Sequence, residues 1–493
     1  MPNISSLPLS IVDYALVTVA VALAYKLRAQ QVADAPRVYP PGPKSWPIIG
    51  NLLDFSRGDL STTFFEWRKC YGRLTYASTF GIHFLVVNDY ATAVSLLEHQ
   101  GVLYSDRPQL RILDITGWSS VMTVTNLGAR FREMRLRMKG TIGNKSVLAQ
   151  FQSGNMAYTR RFLRQLLLEP NTLSRHVSRL MNSIIMNLSY GHDVREVGRD
   201  PLAQTAEVAS HDFEHLLIPS SHLLNFMPWL EILLKWLPGT GYTQWLRDVK
   251  ARRETFLRVP LKMFREAQVC LAAGTAKPSF FLRNLSRSDV SPAEEETIAW
   301  TAIEMNNGPT DTLISIIQNF FLGATQASPF PQRAQAEISS AVGENRLPAL
   351  QDRERLPFVT AVVKEVWRWD LTMPINVPHV AAEEGTYDGY FIPKGTWIIA
   401  HLRAFTHDPD IYPDPDSFEP SRFIRTPSHE PEKDPSHIVF GFGRRKCPGI
   451  LLAEDVVWLV CAMTLASVII SKARDSKGSD IEPTIQRSGL NIL

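Results

Sequence analysis

The sequence predicts a mainly helical protein with small β-sheets, preceded by an N-terminal transmembrane helix, and three observations carry that expectation. The chain has 493 residues, more than the roughly 100 to 200 of an ordinary domain, yet no Gly/Ser linker or low-complexity tract divides it. Its 33 prolines are scattered among helical patterns, which suits many helices joined by irregular loops. One apolar run stands at the start, where a targeting segment belongs. Hydrophobic residues make up 45% of the chain, ample for one large core, and a formal charge of +3 is too small to argue for a nucleic-acid partner. The four cysteines, Cys70, Cys270, Cys447 and Cys461, show no paired metal-ligand spacing, so a reducing compartment is expected and a disulfide framework is not.

Ile11 to Tyr25 is apolar apart from Asp13, Tyr14 and Thr18, and Lys26 and Arg28 follow. This is a signal-anchor pattern near the lower limit of the roughly 17 to 25 residues of a bilayer span, with Asp13 placed near the interface. No basic segment precedes it and no small-residue cleavage site follows, which argues against a cleaved signal peptide. Positive charge after the span puts the body of the protein on the cytoplasmic side. The expected organisation is an anchor over residues 1–28, a hinge over 29–45 stiffened by Tyr39-Pro40-Pro41-Gly42-Pro43, and a catalytic domain over 46–493. Arg130, Arg132, Arg135, Arg137 and Lys139 spread around a helix and read as a solvated face.

Ser291-Pro292-Ala293-Glu294 supplies an N-cap, a proline at the first helical position and a capping-box glutamate, so a long helix should start there. Its apolar pattern runs through Ile298, Trp300, Ala302 and Ile303, and resumes through Leu313, Ile314, Ile316, Ile317 and Phe320. Between them Gly308-Pro309 predicts a kink, because an interior proline removes one backbone hydrogen bond and clashes with the preceding turn at a cost of about 3 kcal/mol. An opened turn beside Asp311 and Thr312 would leave carbonyls that hold water and relay protons. A second helix opens after Pro357 and places Glu365 and Arg368 on one face, a pairing that on a surface is worth only about 0 to 1 kcal/mol. Tyr390 to Thr396 reads as a turn between two strands, with Pro393 and Gly395 as its turn residues.

The most informative segment is Phe440-Gly441-Phe442-Gly443-Arg444-Arg445-Lys446-Cys447-Pro448-Gly449, a cysteine on a glycine-rich basic loop that runs into an apolar helical stretch from Ile450 to Ile470. Glycines let the backbone fold tightly around a sulfur, and a helix N-terminus with nearby cations favours thiolate over thiol. A thiolate on haem iron favours cleavage of the oxygen-oxygen bond. The alternative is a buried structural thiol.

These residues resemble the haem-binding signature of the cytochrome P450 family. The resemblance extends to Glu365-Val366-Trp367-Arg368, to Pro420-Ser421-Arg422-Phe423, and to Gly308, Pro309, Thr310, Asp311 and Thr312 in the place of the family's oxygen-activation motif, where Pro309 replaces a usual glycine. It implies the cytochrome P450 fold and haem b (iron protoporphyrin IX) as cofactor. Cys447 is then the axial ligand of the iron, Phe440 and Gly449 belong to the haem loop, and Asp311 and Thr312 deliver protons for oxygen activation. Glu365, Arg368 and Arg422 would form a buried ionic cluster beneath the haem. Arg135, His379 and Arg445 would contact the propionates, while Phe131 stands where the family has a tryptophan and cannot donate a hydrogen bond. Tyr104-Ser105-Asp106-Arg107-Pro108 would precede a substrate loop over about Leu110 to Val124. Substrate-facing stretches fall at Leu113 to Trp118, His215 to Leu224, Thr301 to Met305 and Met373 to Asn376, mostly apolar, as suits a lipophilic small molecule. The end of the chain, Glu482 to Leu493, looks short of the family by roughly a strand pair, a departure drawn from the resemblance alone.

Anchor, hinge, and the segments around Trp367 and Pro393 are similar to microsomal, fungal secondary-metabolism members. This implies a single-pass protein of the endoplasmic reticulum membrane that oxidises a secondary metabolite with O2, terpenoid, polyketide and alkaloid scaffolds all being compatible with an apolar pocket. The chain has no Gly-x-Gly-x-x-Gly dinucleotide fingerprint, so electrons would come from NADPH through a partner, NADPH-cytochrome P450 reductase, docking near Arg444 and Lys446. A haem-thiolate isomerase or dehydratase, or a catalytically impaired haem-binding paralogue, are the alternatives.

Overall fold

The computed structural model of the chain describes residues 37–55, 59–195, 198, 200–217, 223–236, 241–285, 290–326 and 330–483. The expected anchor over residues 1–28 lies outside the described residues, as does most of the C-terminal segment from residue 484 on. The fold is mainly helical with small sheets, as expected. Its longer helices are α1 (Ala129–Thr141), α2 (Gln152–Leu168), α3 (Leu173–Tyr190), α4 (Pro201–Leu217), α5 (Tyr242–Ala272), α6 (Pro292–Gln326), α7 (Pro357–Trp369) and α8 (Ile450–Ser467).

The core is built around α6, which is 35 residues long and packs against α3, α1, α8 and α7. Its start follows the sequence signal: the Ser291 hydroxyl accepts from the Glu294 N–H at 3.3 Å, and the Glu294 carboxylate accepts from the Ser291 N–H at 3.1 Å. From Thr297 to Asn307 every residue is buried, the condition of a helix surrounded by protein on all sides. α6 is assigned helical without interruption through Pro309, where the sequence places the kink. Proline denies the Met305 carbonyl its usual donor, and burial of the turns on either side holds the helix together around that lost bond. Two neighbouring carbonyls of that region accept side-chain hydrogen bonds. The Thr312 hydroxyl donates to Gly308 at 2.9 Å and the Thr310 hydroxyl to Asn306 at 2.6 Å. Among the described residues, α8 is the one helix long and apolar enough to cross a membrane, and most of it is buried inside the protein.

A four-stranded sheet, in the order β1 (Leu74–Thr79), β2 (Ile82–Val87), β6 (Trp397–Ala400), β3 (His379–Val380), closes one side. β1 and β2 form an antiparallel hairpin, β6 lies parallel to β2, and β3 pairs antiparallel to β6 with His379 opposite Ile398. The smaller hairpin joins β4 (Gly385–Tyr387) to β5 (Tyr390–Ile392) through Asp388-Gly389, both at positive φ, the turn that matches strand twist. Gly395, at φ +81°, turns the chain from β5 to β6 as read from the sequence. The described part of the hinge docks on these sheets: Tyr76 donates its N–H to Pro41, Phe391 donates to Val38, and the Tyr39 ring lies 4.7 Å from that of Tyr76.

Candidate active site around Cys447

The cysteine loop is shaped by backbone demands that only glycine meets. Gly441 and Gly443 both have positive φ, +73° and +52°, and a Cβ on Gly443 would lie 2.1 Å from the Leu97 carbonyl oxygen. The loop closes when the Cys447 N–H donates to the Phe440 carbonyl at 2.8 Å, and the Phe440 ring packs 5.0 Å from Trp367 of α7. Gly449 donates its N–H to the Cys447 sulfur at 3.4 Å, and a side chain there would press to 3.7 Å from that sulfur.

Cys447 is open, although the residues packed around its loop are buried. On α6, Gly308 is likewise open while Asn307 and Thr310 beside it are buried, and nothing lies within 4 Å of the position a Cβ would take. The Glu304 carboxylate, one turn from Gly308, interacts electrostatically with Cys447, which places this stretch of α6 on the side of the cysteine loop, and we read the two openings as one hollow between them. Burial pushes the Cys447 thiol up, while the Gly449 N–H and the Arg135 guanidinium pull it down. The expectation that the loop alone favours thiolate is thereby corrected: desolvation outweighs the cations, and a metal on the sulfur would reverse the balance.

The edge of the hollow is basic. Arg445 donates to the carbonyls of Ser105 and Thr125, each at 2.7 Å, and its guanidinium lies 4.1 Å over the Phe131 ring. Its remaining Nη1 is buried without a partner, and burial lowers its pKa to about 10. Arg135 of α1 donates to the Lys446 carbonyl. His379 is buried and donates Nδ1–H to the Tyr104 carbonyl at 2.6 Å, leaving Nε2 as acceptor; burial, with Arg107 next, holds it neutral. The α1 basic cluster is therefore not one solvated face, which corrects the sequence reading. Arg132 and Lys139 are exposed, Arg135 faces the cysteine loop, and Arg137 bonds Glu133 at 2.7 Å and Asn284 at 2.9 Å.

Behind the loop, Glu365, Arg368 and Arg422 meet in a dry cluster, with Glu365 and Arg368 fully buried. Arg368 grips Glu365 with two N–H groups at 2.7 and 2.8 Å, and Arg422 reaches the same carboxylate at 3.1 Å. Spare N–H groups of Arg368 go to the carbonyls of Thr406, Pro415 and Ser417, so few donors are left unmet. One residue before Glu365, Lys364 pairs with Asp434 at 2.7 Å, and Asp434 caps the helical turn that enters the cysteine loop. The cluster thus fixes α7 to the segment that carries Cys447.

Asp311 and Thr312 are both half-buried on α6. Of the substrate-facing stretches, Leu113 to Trp118 forms a short, mostly buried helix and turn. Trp118 lies 5.3 Å from Phe213 of α4 and 6.1 Å from Trp300 of α6. The stretch from His215 to Leu224 is described only in part. Asn376 exchanges hydrogen bonds with the Ala400 backbone and is a framework residue. Sequence reasoning missed Phe131 as the platform for Arg445 and passed over Asn307; Glu304 fell within the substrate-facing stretch Thr301 to Met305 and Arg107 within the segment before the substrate loop, but neither was singled out as a buried charge.

An orphaned guanidinium nitrogen at the rim, a sulfur open to an interior hollow and glycines that keep side chains out of it fit a flat, dianionic ring bearing a metal. The comparisons agree with that fit. The family model for cytochrome P450 matches residues 40–487. Cytochrome P450 monooxygenase 208 of Postia placenta is 36% identical over 96% of this chain and 92% of its own length. Cytochrome P450 monooxygenase claR of Ampulloclitocybe clavipes is 35% identical over 90% and 82%. An O-methylsterigmatocystin oxidoreductase of Aspergillus flavus is 30% identical over 88% and 82%.

Proposed function

The chain belongs to the cytochrome P450 family and is a monooxygenase, and from that premise we propose that it binds haem b through Cys447 and oxidises a lipophilic small molecule of fungal secondary metabolism. The observation that carries the reading is the Cys447 sulfur, set on its glycine turn and open to the hollow beneath Gly308 of α6. When bound, haem ligated by a thiolate supplies the activation of O2 for insertion into a carbon-hydrogen bond. The protein's own residues do the rest. Arg445 Nη1, with Arg135 and His379 near it, would hold the propionate edge. Phe440 and Gly449 back the sulfur, and the Glu365, Arg368 and Arg422 cluster keeps its loop in place. Thr312 donates its hydroxyl hydrogen bond to the Gly308 carbonyl, so its oxygen lone pairs remain to accept a hydrogen bond from a water and hold it in place, and Asp311 would supply that water with the proton it passes on. Aromatic walls at Trp118, Phe213 and Trp300 exclude bulk water.

Electrons are assigned to NADPH-cytochrome P450 reductase, with exposed Arg444 beside Lys446 as docking cations. Residues 1–28 are assigned as a single-pass anchor in the endoplasmic reticulum membrane, 29–45 as the hinge, and 46–493 as the catalytic domain on the cytoplasmic side. An exposed apolar surface supports a membrane location: Trp46 and Ile48 next to the hinge, and Trp229, Ile232, Leu233 and Trp236 of the 226–236 segment. Contact between Phe226 and Phe80 of the β1–β2 turn brings that segment to the same end of the sheet.

The test is the reduced carbon-monoxide spectrum of the purified protein, followed by product analysis with reductase and NADPH. Absence of the thiolate-type band sinks the reading. A band with conversion that needs no NADPH assigns an isomerase or dehydratase instead, and a band with no turnover of any lipophilic candidate assigns an impaired haem protein.

A further inference from the structure

Two buried polar side chains of α6 take no part in the chemistry described above. Glu304 and Asn307 stand three residues apart and so leave the helix on one face, the face on which Gly308 opens to the hollow. Both are at least nine-tenths buried. The Glu304 carboxylate accepts from the Thr123 hydroxyl, from the Thr123 N–H at 3.4 Å, and from the Met122 N–H. The fields of Arg107 and Arg445 reach it, but the observed bonds of those guanidinium groups go elsewhere. Arg107 donates to Thr123, Val377 and Pro378, and Arg445 to Ser105 and Thr125, all backbone carbonyls. No ion pair among the described residues includes Glu304. Neither the nitrogen nor the oxygen of the Asn307 amide has a partner there.

A buried amide with nothing to bond is costly, and a buried carboxylate that is hydrogen-bonded but has no cation in contact keeps part of its desolvation cost. One ligand relieves both, because an ammonium group carries positive charge and three donors. One turn before Glu304, the buried rings of Trp300 and its neighbour Trp118 make the adjoining wall apolar, as the body behind such a group requires. We infer that Glu304 and Asn307 form a polar subsite that selects a basic, amine-bearing lipophilic substrate, with Glu304 taking the charge and the Asn307 carbonyl a second N–H. A neutral or acidic competitor leaves the carboxylate unpaired and is rejected on that account. This assignment rests on the haem-thiolate reading.

Two iron-binding probes of matched length test it in the haem-loaded full-length protein: 1-(3-aminopropyl)imidazole, which ends in an ammonium, and 1-butylimidazole, which ends in a methyl. Each is titrated by the shift of the Soret band. The ratio of their affinities, in favour of the aminopropyl arm, is about ten- to a hundredfold larger in the wild type than in Glu304→Gln, the range for a charge-assisted hydrogen bond. Asn307→Leu lowers the ratio severalfold, and Glu304→Asp retains part of it. An unchanged ratio in Glu304→Gln overturns the inference and leaves the carboxyl as a tie between α6 and the Thr123 loop. A wild type that prefers the butyl arm overturns it without any variant. If no thiolate-type band forms with carbon monoxide before the titration, the haem-thiolate reading has failed and the subsite falls with it.

Discussion

Single residues in the cysteine loop carry different burdens, and substitution should separate them. Cys447 is open and makes no packing contact that the core depends on, so Cys447→Ala is expected to abolish the thiolate-type carbon-monoxide band while leaving far-ultraviolet circular dichroism unchanged. Gly443 acts through the backbone. Its φ of +52° and the 2.1 Å approach of a Cβ to the Leu97 carbonyl mean that Gly443→Ala must push the loop away from the 95–99 turn. It should lower the unfolding free energy by more than about 1 kcal/mol and reduce haem occupancy, read as the absorbance ratio of the Soret band to 280 nm. A variant as stable as the parent sinks that account. Thr312 donates to Gly308 within its own helix, so Thr312→Ala should keep the band and the fold but release hydrogen peroxide in place of product. Equal product yield from parent and variant removes Thr312 from proton delivery.

At the scale of elements, the α7 cluster is the sharpest case of a local signal whose weight only packing reveals. Glu365 and Arg368 three apart read as an ordinary surface pair, whereas in the fold they are fully buried and joined by Arg422 from a separate loop. Arg422 is shared between Glu365 and Glu432, so removing Arg368 leaves two carboxylates on one guanidinium, and an uncompensated buried charge typically destabilises by about 3 to 5 kcal/mol; Arg368→Met should therefore show a midpoint of urea denaturation far below the parent's and release of haem. A loss under 1 kcal/mol would mean that the cluster is not dry. The same contrast explains what the sequence made legible. Motifs defined by spacing along one strand of chain, such as Phe440 to Gly449 and Ser291 to Glu294, were readable because their geometry is local. The continuity of α6 through Pro309 was not, since the local cost of proline is set against burial contributed by α1, α3 and α8. Asn307 was hidden for a similar reason, and Glu304, although inside the substrate-facing stretch Thr301 to Met305, gave no sign of its burial: a polar residue inside an apolar pattern announces a surface until the neighbours are known, and Phe131, set aside for lacking a donor, serves through its ring.

Across the whole molecule, buried imidazoles make stability depend on pH. His401 sits where the helix Leu60–Tyr71 meets the sheet: its Nδ1–H donates to Asn88 at 3.3 Å, and its Nε2 accepts from the Ser61 hydroxyl at 3.2 Å. Burial, then the charges of Arg403 and Arg68, depress its pKa to about 3, and His379 is depressed in the same direction. Above about pH 6.5, the ordinary histidine value, both the folded and the unfolded chain hold these rings neutral and nothing is lost. As pH falls below that value the unfolded chain takes up protons that the folded one refuses, so stability declines, by about 1.4 kcal/mol per pH unit for each such ring. For His401 the decline continues until about pH 3. Glu304, Glu454 and Asp455, whose pKa values are raised mainly by burial, act in the opposite sense at the acid end, so the slope of the wild type alone is a mixture. The difference between wild type and His401→Gln isolates one ring. The variant forfeits the hydrogen bonds at every pH, but its unfolding free energy should fall less steeply between pH 6 and 4.5, by close to one proton's worth of slope. Parallel curves for the two proteins over that window would show that His401 is protonated in the fold, and that the junction between the helix and the sheet admits water.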